Sequence, residues 1–64
     1  MDEAHILAHR LCTVAGMIME DAAPVAIIAA PVDALEERIR LVAEAGRDIM
    51  TMARAAETVV RRGL

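Results

Sequence analysis

An apolar spacing of alternately four and three residues runs through the second half of the chain and constrains its fold more than any other sequence feature. The residues at these positions are Leu35, Ile39, Val42, Gly46, Ile49, Ala53, Ala56 and Val60. A heptad spacing of this kind places its members on one stripe of an α-helix. The charged residues between them fall on the opposite side of that helix. The pattern therefore predicts one long amphipathic helix.

The ends of this helix are marked by residues typical of helix termini. Asp33 can accept a hydrogen bond from a free backbone N–H group, and Glu36 follows in the position of a capping box. At the other end, Arg61 and Arg62 complement the helix dipole and Gly63 supplies a stop. We therefore expect the second helix to run from about Asp33 to Arg62.

The apolar side of this helix is wider than one stripe. A second apolar row lies beside the first and consists of Leu41, Ala45, Met52 and Val59. At 100° per residue, the two rows together cover about 160°, which is more than one partner helix requires. We therefore expect the helix to contact two neighbours. On its polar side, the sequence predicts two i,i+4 ion pairs, Glu36 with Arg40 and Glu57 with Arg61.

The first half of the chain also has helical spacing, although a proline interrupts it. Asp2 can cap a helix whose stripe would contain Leu7, Leu11, Val14, Ile18, Asp21, Val25 and Ile28. Pro24 lacks a backbone N–H group, and its ring clashes with the carbonyl of Glu20 in a helix. Two interpretations follow for this arm.

In the first interpretation, a single helix runs from about Asp2 to Ala30 with a kink at Pro24. In the second, one helix ends near Glu20, and a short helix capped by Asp21 runs from about Ala22 to Ala30. In either case, we expect Pro31 to end the first arm and Val32 and Asp33 to turn the chain into the second helix. Two arms of nearly equal length predict a helical hairpin.

Composition and size indicate that such a hairpin associates with itself. The 64 residues are 58% hydrophobic with a net charge of −3, which excludes a disordered chain. A chain of this length buries only about 60% of its unfolded surface, and one cysteine cannot form an internal disulfide. Gly46, Ala53 and Ala56 would let a neighbouring helix approach closely. We therefore predict an all-α single domain over residues 1–64, a hairpin that forms a four-helix-bundle-like homodimer or, alternatively, a tetramer.

The same composition limits partners and compartment. The sequence contains no lysine and no aromatic residue, so we expect no nucleic-acid binding. The least polar stretch, Val14–Val32, is interrupted by Glu20, Asp21 and Pro24, so we expect no membrane span. The acidic start of the chain differs from a secretory signal. We expect a soluble cytoplasmic protein, with Val14–Val32 as a region that could contact another protein.

Three residues of the first arm have side chains suited to metal binding. His5, His9 and Cys12 follow one another at i, i+4 and i+7, within about 60° of helix surface. Imidazole and thiolate groups suit zinc and similar metals, and histidines four residues apart can chelate one ion. A metal- or haem-binding helical bundle is therefore an alternative function, with a two-fold partner or Glu20 supplying a further ligand.

The run Ala8–Gly16, AHRLCTVAG, resembles the phospho-accepting helix of histidine phosphotransfer domains. That helix also carries a His followed by a Leu and then small residues. The Lys and Gly that usually follow the Leu in that family are Cys12 and Thr13 here. The resemblance covers nine residues and implies a phosphoaccepting His9, an acidic response-regulator domain as partner, and four helices restored by pairing two hairpins.

Other catalytic chemistry lacks the residues that it needs. Serine is absent, and Gly16, Gly46 and Gly63 are too far apart to form a phosphate-binding loop. Nothing in the sequence places an activating acid beside Cys12, so we expect no nucleophilic catalysis and no cofactor. The sequence therefore predicts a non-catalytic protein–protein interaction module, an adaptor or regulatory subunit that binds first of all to itself.

Overall fold

The computed structural model describes residues 2–63, which form two α-helices packed against each other as a hairpin. Helix α1 spans Glu3–Ile27 and helix α2 spans Val32–Arg62, with residues 28–31 as the connection. Residues 2–63 contain no β-strand. The predicted all-α helical hairpin is confirmed at this level.

The hairpin is elongated and only one helix thick. Its principal extents are 48 × 15 × 9 Å, and the long dimension matches the 31 residues of α2, at about 1.5 Å per residue. Its radius of gyration is 15.0 Å, whereas a compact chain of this length has about 11 Å. The two helices thus lie side by side in a single layer, and both broad faces of that layer are open.

Helix α1 begins as predicted and continues through its proline. The Oδ1 atom of Asp2 accepts a hydrogen bond from the His5 backbone N–H at 2.8 Å, which confirms Asp2 as the N-cap. Pro24 lies inside the helix, and its carbonyl accepts from Ile28 N–H at 3.1 Å. The interpretation in which one helix ends near Glu20 and a short helix begins at about Ala22 is therefore wrong, because α1 is continuous through Pro24. The helix ends at Ile27, three residues before the predicted end at Ala30. Asp21 is an exposed residue within the helix and does not cap one.

Helix α2 begins one residue earlier than predicted and with a different cap. Pro31 occupies the N-cap position without a side-chain cap, and its carbonyl accepts from the Ala34 N–H at 3.0 Å. Asp33 lies in the first turn, so its predicted capping role is wrong. Proline has a suitable fixed φ and no N–H group to satisfy, which lets the helix start there. The predicted stop is confirmed: Gly63 has φ 69° and donates to the Val59 carbonyl at 2.8 Å.

The side of α1 that packs against α2 is rotated from the predicted stripe towards alanines. The least exposed apolar residues of α1 with heptad spacing are Ala4, Ala8, Leu11, Ala15, Ile18, Ala22 and Val25. Leu11, Ile18 and Val25 belong to both stripes, but Val14 and Asp21 are exposed, so the predicted stripe is only partly correct. Small side chains at the contact let the helix backbones approach, which explains why the alanine side is used.

Helix α2 makes the same contact with the side that lies between its two apolar rows. Its least exposed residues are Arg38, Ala45, Ile49, Met52, Ala55, Ala56 and Val59. Ala45, Met52 and Val59 belong to the second row, whereas Ile49 and Ala56 belong to the heptad row. Leu35, Ile39 and Val60 from the predicted heptad row are exposed instead. A Cβ atom added at Gly46 would meet nothing within 4 Å, so α1 does not approach α2 closely there. Within the hairpin, the heptad row of α2 remains largely unpartnered.

The Arg38 side chain of α2 bonds to the backbone at the loop end of the hairpin. The Arg38 guanidinium donates to the backbone carbonyl of Ile28, the residue that follows α1. Carbonyl groups at a helix C-terminus lack partners within their own helix, so this bond satisfies one of them. It also explains why a charged side chain lies partly buried beside the contact between the helices.

Candidate interaction surface

The hairpin leaves most of its large apolar side chains in contact with solvent. The buried residues are four alanines, Ala4, Ala8, Ala15 and Ala56, and none of the large side chains of residues 2–63 is fully buried. The exposed large apolar residues are Ile6, Leu7, Val14, Met17, Met19, Ile27, Ile28, Val32, Leu35, Ile39, Leu41, Val42, Met50 and Val60. Full burial of one such side chain stabilises a fold by about 1.5–3 kcal/mol. The hairpin alone therefore leaves much of its hydrophobic potential unused.

One broad face of the layer carries a groove with acidic rims, and we call it the acidic face. The residues that line the groove are Ile18, Asp21, Ala22, Val25, Leu41, Glu44, Ala45 and Asp48. Its floor is apolar, whereas Asp21 projects from α1 and Glu44 and Asp48 project from α2. Val14 lies on this side of α1 as well, because residues seven apart share a side of a helix. The acidic face is thus apolar at its centre but bordered by three carboxylates.

The opposite broad face carries almost no charge, and we call it the uncharged face. It contains the sides of α1 and α2 that point away from the groove. These sides follow from the helical repeat, which turns each residue by about 100° from the one before it. Its residues are His5, Ala8, Cys12, Ala15, Met19, Ala23 and Ala26 from α1 and Leu35, Ile39, Val42, Gly46, Met50, Ala53 and Val60 from α2. Among the carboxylates of the described helices, the one on this side is Glu57. Its Oε2 atom lies 3.6 Å from Arg61 Nη2, near the end of α2. The predicted ion pair of Glu57 with Arg61 is therefore confirmed.

The two helices contribute differently to the uncharged face. Side chains from α1 are mostly small, whereas α2 presents the large side chains of its heptad row. The α2 valine Val42 is 37% exposed and Ile39 is 59% exposed. The face therefore combines large apolar side chains with small ones, and Gly46 and Ala53 interrupt the large side chains of α2. This uneven surface is suited to packing against another helical layer.

Charged side chains of α2 pair along the polar side of the helix. Arg40 donates to Glu37 and, at 3.0 Å, to Glu44, so the predicted pairing of Arg40 with Glu36 is wrong. The guanidinium turns towards the acidic face, where two carboxylates can share it. The hydrogen bond from Arg40 lowers the pKa of the Glu37 carboxyl, and the bond to Glu37 raises the pKa of Arg40. These shifts arise from exposed ion pairs, which contribute little stability.

The predicted metal ligands all lie on the exposed surface of α1. His5 Nδ1 is 2.8 Å from Asp2 Oδ1, and His9 and Cys12 are exposed one and two turns further on. Thr13 Oγ1 donates to the His9 backbone carbonyl at 3.0 Å. No three His, Cys, Asp or Glu side chains among residues 2–63 are placed to hold a metal together. Metal binding by His5, His9 and Cys12, and phosphorylation of His9, stay predictions.

The spacing of alanine in the sequence of α1 indicates the side of this helix that meets α2. Alanine recurs in α1 at Ala4, Ala8, Ala15 and Ala22, and these positions form a heptad row together with Leu11, Ile18 and Val25. A row that alternates alanine with large aliphatic residues favours a close helix–helix contact. The larger side chains of the neighbouring row instead suggested a stripe one position away.

Comparison with known proteins assigns neither a family nor a function to the chain. No protein family, curated protein or solved structure matches the chain. Neither helix of the described residues combines the length and the apolar run that a bilayer span requires. The open surfaces of the hairpin are therefore the features that bear on its function.

Proposed function

We propose that this chain is a small non-catalytic protein–protein interaction module, an adaptor or regulatory subunit that homo-oligomerises into a four-helix-bundle-like homodimer. The observation that carries the proposal is the exposure of the large apolar side chains on a hairpin of one layer. Domains bury a hydrophobic core between at least two layers of secondary structure. A second hairpin supplies the missing layer, and bundles of four helices are a common result.

Surface area supports this proposal quantitatively. The chain exposes 5059 Å², whereas a compact monomer of 6.9 kDa exposes about 4,000 Å². The excess of about 1,000 Å² per chain is close to what one partner contributes to a stable interface. Association of two copies would therefore bring each chain to the exposure expected for a folded protein.

The ionisable groups support an interaction role more than a catalytic one. Catalytic sites commonly hold groups whose pKa values are shifted by burial within a cleft. Here the pKa shifts of Asp2, Glu37 and Arg40 are explained by hydrogen bonds between exposed neighbours. The proposal assigns no cofactor and no catalytic residue. Contact of Val14–Val32 with a different protein stays a prediction of the sequence.

Native mass spectrometry of the purified chain tests the proposal. We expect a species of twice the chain mass of 6.9 kDa at micromolar concentration. A tetramer would also support self-association, whereas a monomer at every concentration would contradict it. Additional mass that is lost with a chelator would instead favour the alternative of metal binding through His5, His9 and Cys12.

A further inference from the structure

We infer that a second copy of this chain docks on the uncharged face of the hairpin, leaving the acidic face outside the assembly. The inference rests on the proposed self-association and assigns its surface. Both broad faces of the hairpin expose apolar side chains, so hydrophobicity alone does not choose between them. Charge and the arrangement of large and small side chains distinguish the two faces.

Charge disfavours the acidic face as the place where two copies meet. In a two-fold dimer, the same surface of each chain contacts its own equivalent. Docking through the groove would take Asp21, Asp48 and the Arg40–Glu44 ion pair of both chains out of water. Like charges brought together as water is removed repel each other, and their desolvation adds to the cost. On the uncharged face, two copies would meet without opposed carboxylates across the central part of the helices.

The excess surface of the chain is large enough for a stable dimer. If each chain buries its excess of about 1,000 Å², two copies bury about 2,000 Å² together. Specific protein–protein interfaces of standard size bury about 1,200–2,000 Å² in total. Helices of 25 and 31 residues provide a contact of the required length along the 48 Å of the hairpin.

The relief of the face also suits a second copy. Towards the loop end, where Arg38 meets Ile28, the large side chains Ile39 and Val42 of α2 lie level with the small residues Ala23 and Ala26 of α1. A core packs well when large and small side chains alternate across facing layers. Stacking two such faces buries the heptad row of α2, which the contact with α1 leaves exposed. This arrangement gives α2 the two helical neighbours that the width of its apolar side requires.

A matched pair of valine substitutions tests the choice of face. Val42 on the uncharged face is 37% exposed, and Val14 on the acidic side of α1 is 41% exposed. Val42→Glu places a carboxylate in the proposed interface, whereas Val14→Glu adds the same charge to the same residue type outside it. Sedimentation equilibrium should show the dimer dissociation constant rising at least about 30-fold for Val42→Glu. Val14→Glu should remain within a few-fold of the unmodified chain.

A second matched pair separates loss of association from loss of folding. Ile39 on the uncharged face and Met17 on the other side of α1 are both 59% exposed, so neither contributes much to the packing within one hairpin. Ile39→Glu should dissociate the dimer, and Met17→Glu should not. Far-ultraviolet circular dichroism over a range of concentrations reports the helix content of each variant. Because folding is coupled to association, a weakened interface in Ile39→Glu should regain the helix content of the unmodified chain as concentration rises, whereas a folding defect within the hairpin should not.

Each outcome separates the choice of face from the proposed function. If the unmodified chain is monomeric, both self-association and the docking face are wrong. If it is a dimer that Val14→Glu and Met17→Glu dissociate, self-association stands and the uncharged face is wrong. A dimer that resists all four substitutions, or that all four dissociate equally, also overturns the assignment. Selective dissociation by Val42→Glu and Ile39→Glu supports it.

Discussion

At the residue scale, the start of α1 depends on an ionised carboxylate. The backbone N–H of His5 donates to Asp2 at 2.8 Å, and the His5 ring makes a second hydrogen bond to the same oxygen. These bonds favour the charged form and lower the pKa of Asp2 below its ordinary value of 3.8. The cap is therefore formed at neutral pH and weakens only in acid.

Substitution of Asp2 should give a stability change that depends on pH. Because the pKa of Asp2 is lower in the folded chain, its contribution is present above about pH 4 and is lost as the pH falls through the folded value. We expect Asp2→Ala to lower the melting temperature by a few degrees at about pH 7 and by less at about pH 2. Asp2→Asn, which still caps but does not titrate, should reduce this dependence.

Thermal unfolding of the three chains at both pH values measures this effect. The comparison uses the difference between each variant and the unmodified chain, because other carboxylates also titrate in acid. An equal difference for Asp2→Ala at the two pH values would show that the ionised carboxylate does not stabilise the cap.

Helix ends could be predicted where they depend only on adjacent residues. Asp2 caps α1 and Gly63 ends α2 as the sequence indicates, because each forms its bond within one turn. Asp33 and Asp21 were assigned caps that they do not form. For these two residues, competing geometry decided: Pro31 starts α2 earlier, and α1 continues past Asp21 because packing against α2 outweighs one missing hydrogen bond.

At the scale of the element, existence and length were predictable, but the contacting side was not. The apolar spacing indicated α2 to within one residue of its observed start. It also showed two apolar rows, without showing which row meets α1. That choice depends on the shape of the surface of the other helix. The small alanine side chains of α1 pack against Ala45, Met52 and Val59, and Ile39 lies outside the contact. A pattern within one helix does not contain this information.

The two prolines of the chain should respond in opposite ways to replacement by alanine. Pro24→Ala provides an N–H group for the Glu20 carbonyl inside α1, and it removes the clash of the ring. After the smaller entropic advantage of proline in the unfolded chain is subtracted, we expect a stabilisation of about 1–2 kcal/mol. Pro31→Ala gains no such bond at the N-cap of α2 and should be neutral or destabilising by up to about 1 kcal/mol.

Urea denaturation at one fixed chain concentration compares these two variants. The expected result is a higher midpoint for Pro24→Ala and an unchanged or lower midpoint for Pro31→Ala. Equal shifts in the same direction would mean that the position of each proline relative to its helix is not what determines the effect.

At the scale of the whole molecule, the hairpin is a layer whose own contact buries little beyond alanine. Composition and size predicted that one hairpin would leave apolar surface uncovered, because this follows from the number and spacing of side chains. The sequence could not distinguish the two broad faces, since that distinction arises from the way α1 and α2 align. Only the aligned hairpin brings Asp21 beside Glu44 and Asp48 and leaves the opposite face without them.

If association supplies the core, thermal stability must depend on protein concentration. For a folded dimer that unfolds to separate chains, a tenfold increase in concentration adds about 1.4 kcal/mol to the free energy of unfolding. With an unfolding entropy of about 2.1 cal/mol/K per residue over two chains, the melting temperature should rise by about 5 °C per tenfold increase.

Circular dichroism over a hundredfold concentration range measures this slope. Met17→Glu should keep the melting temperatures of the unmodified chain, and Ile39→Glu should lower them at every concentration, because only the latter weakens the interface on which folding depends. A cooperative transition of the unmodified chain at the same temperature throughout that range would show that a single hairpin is stable on its own, contrary to what its exposed heptad row implies.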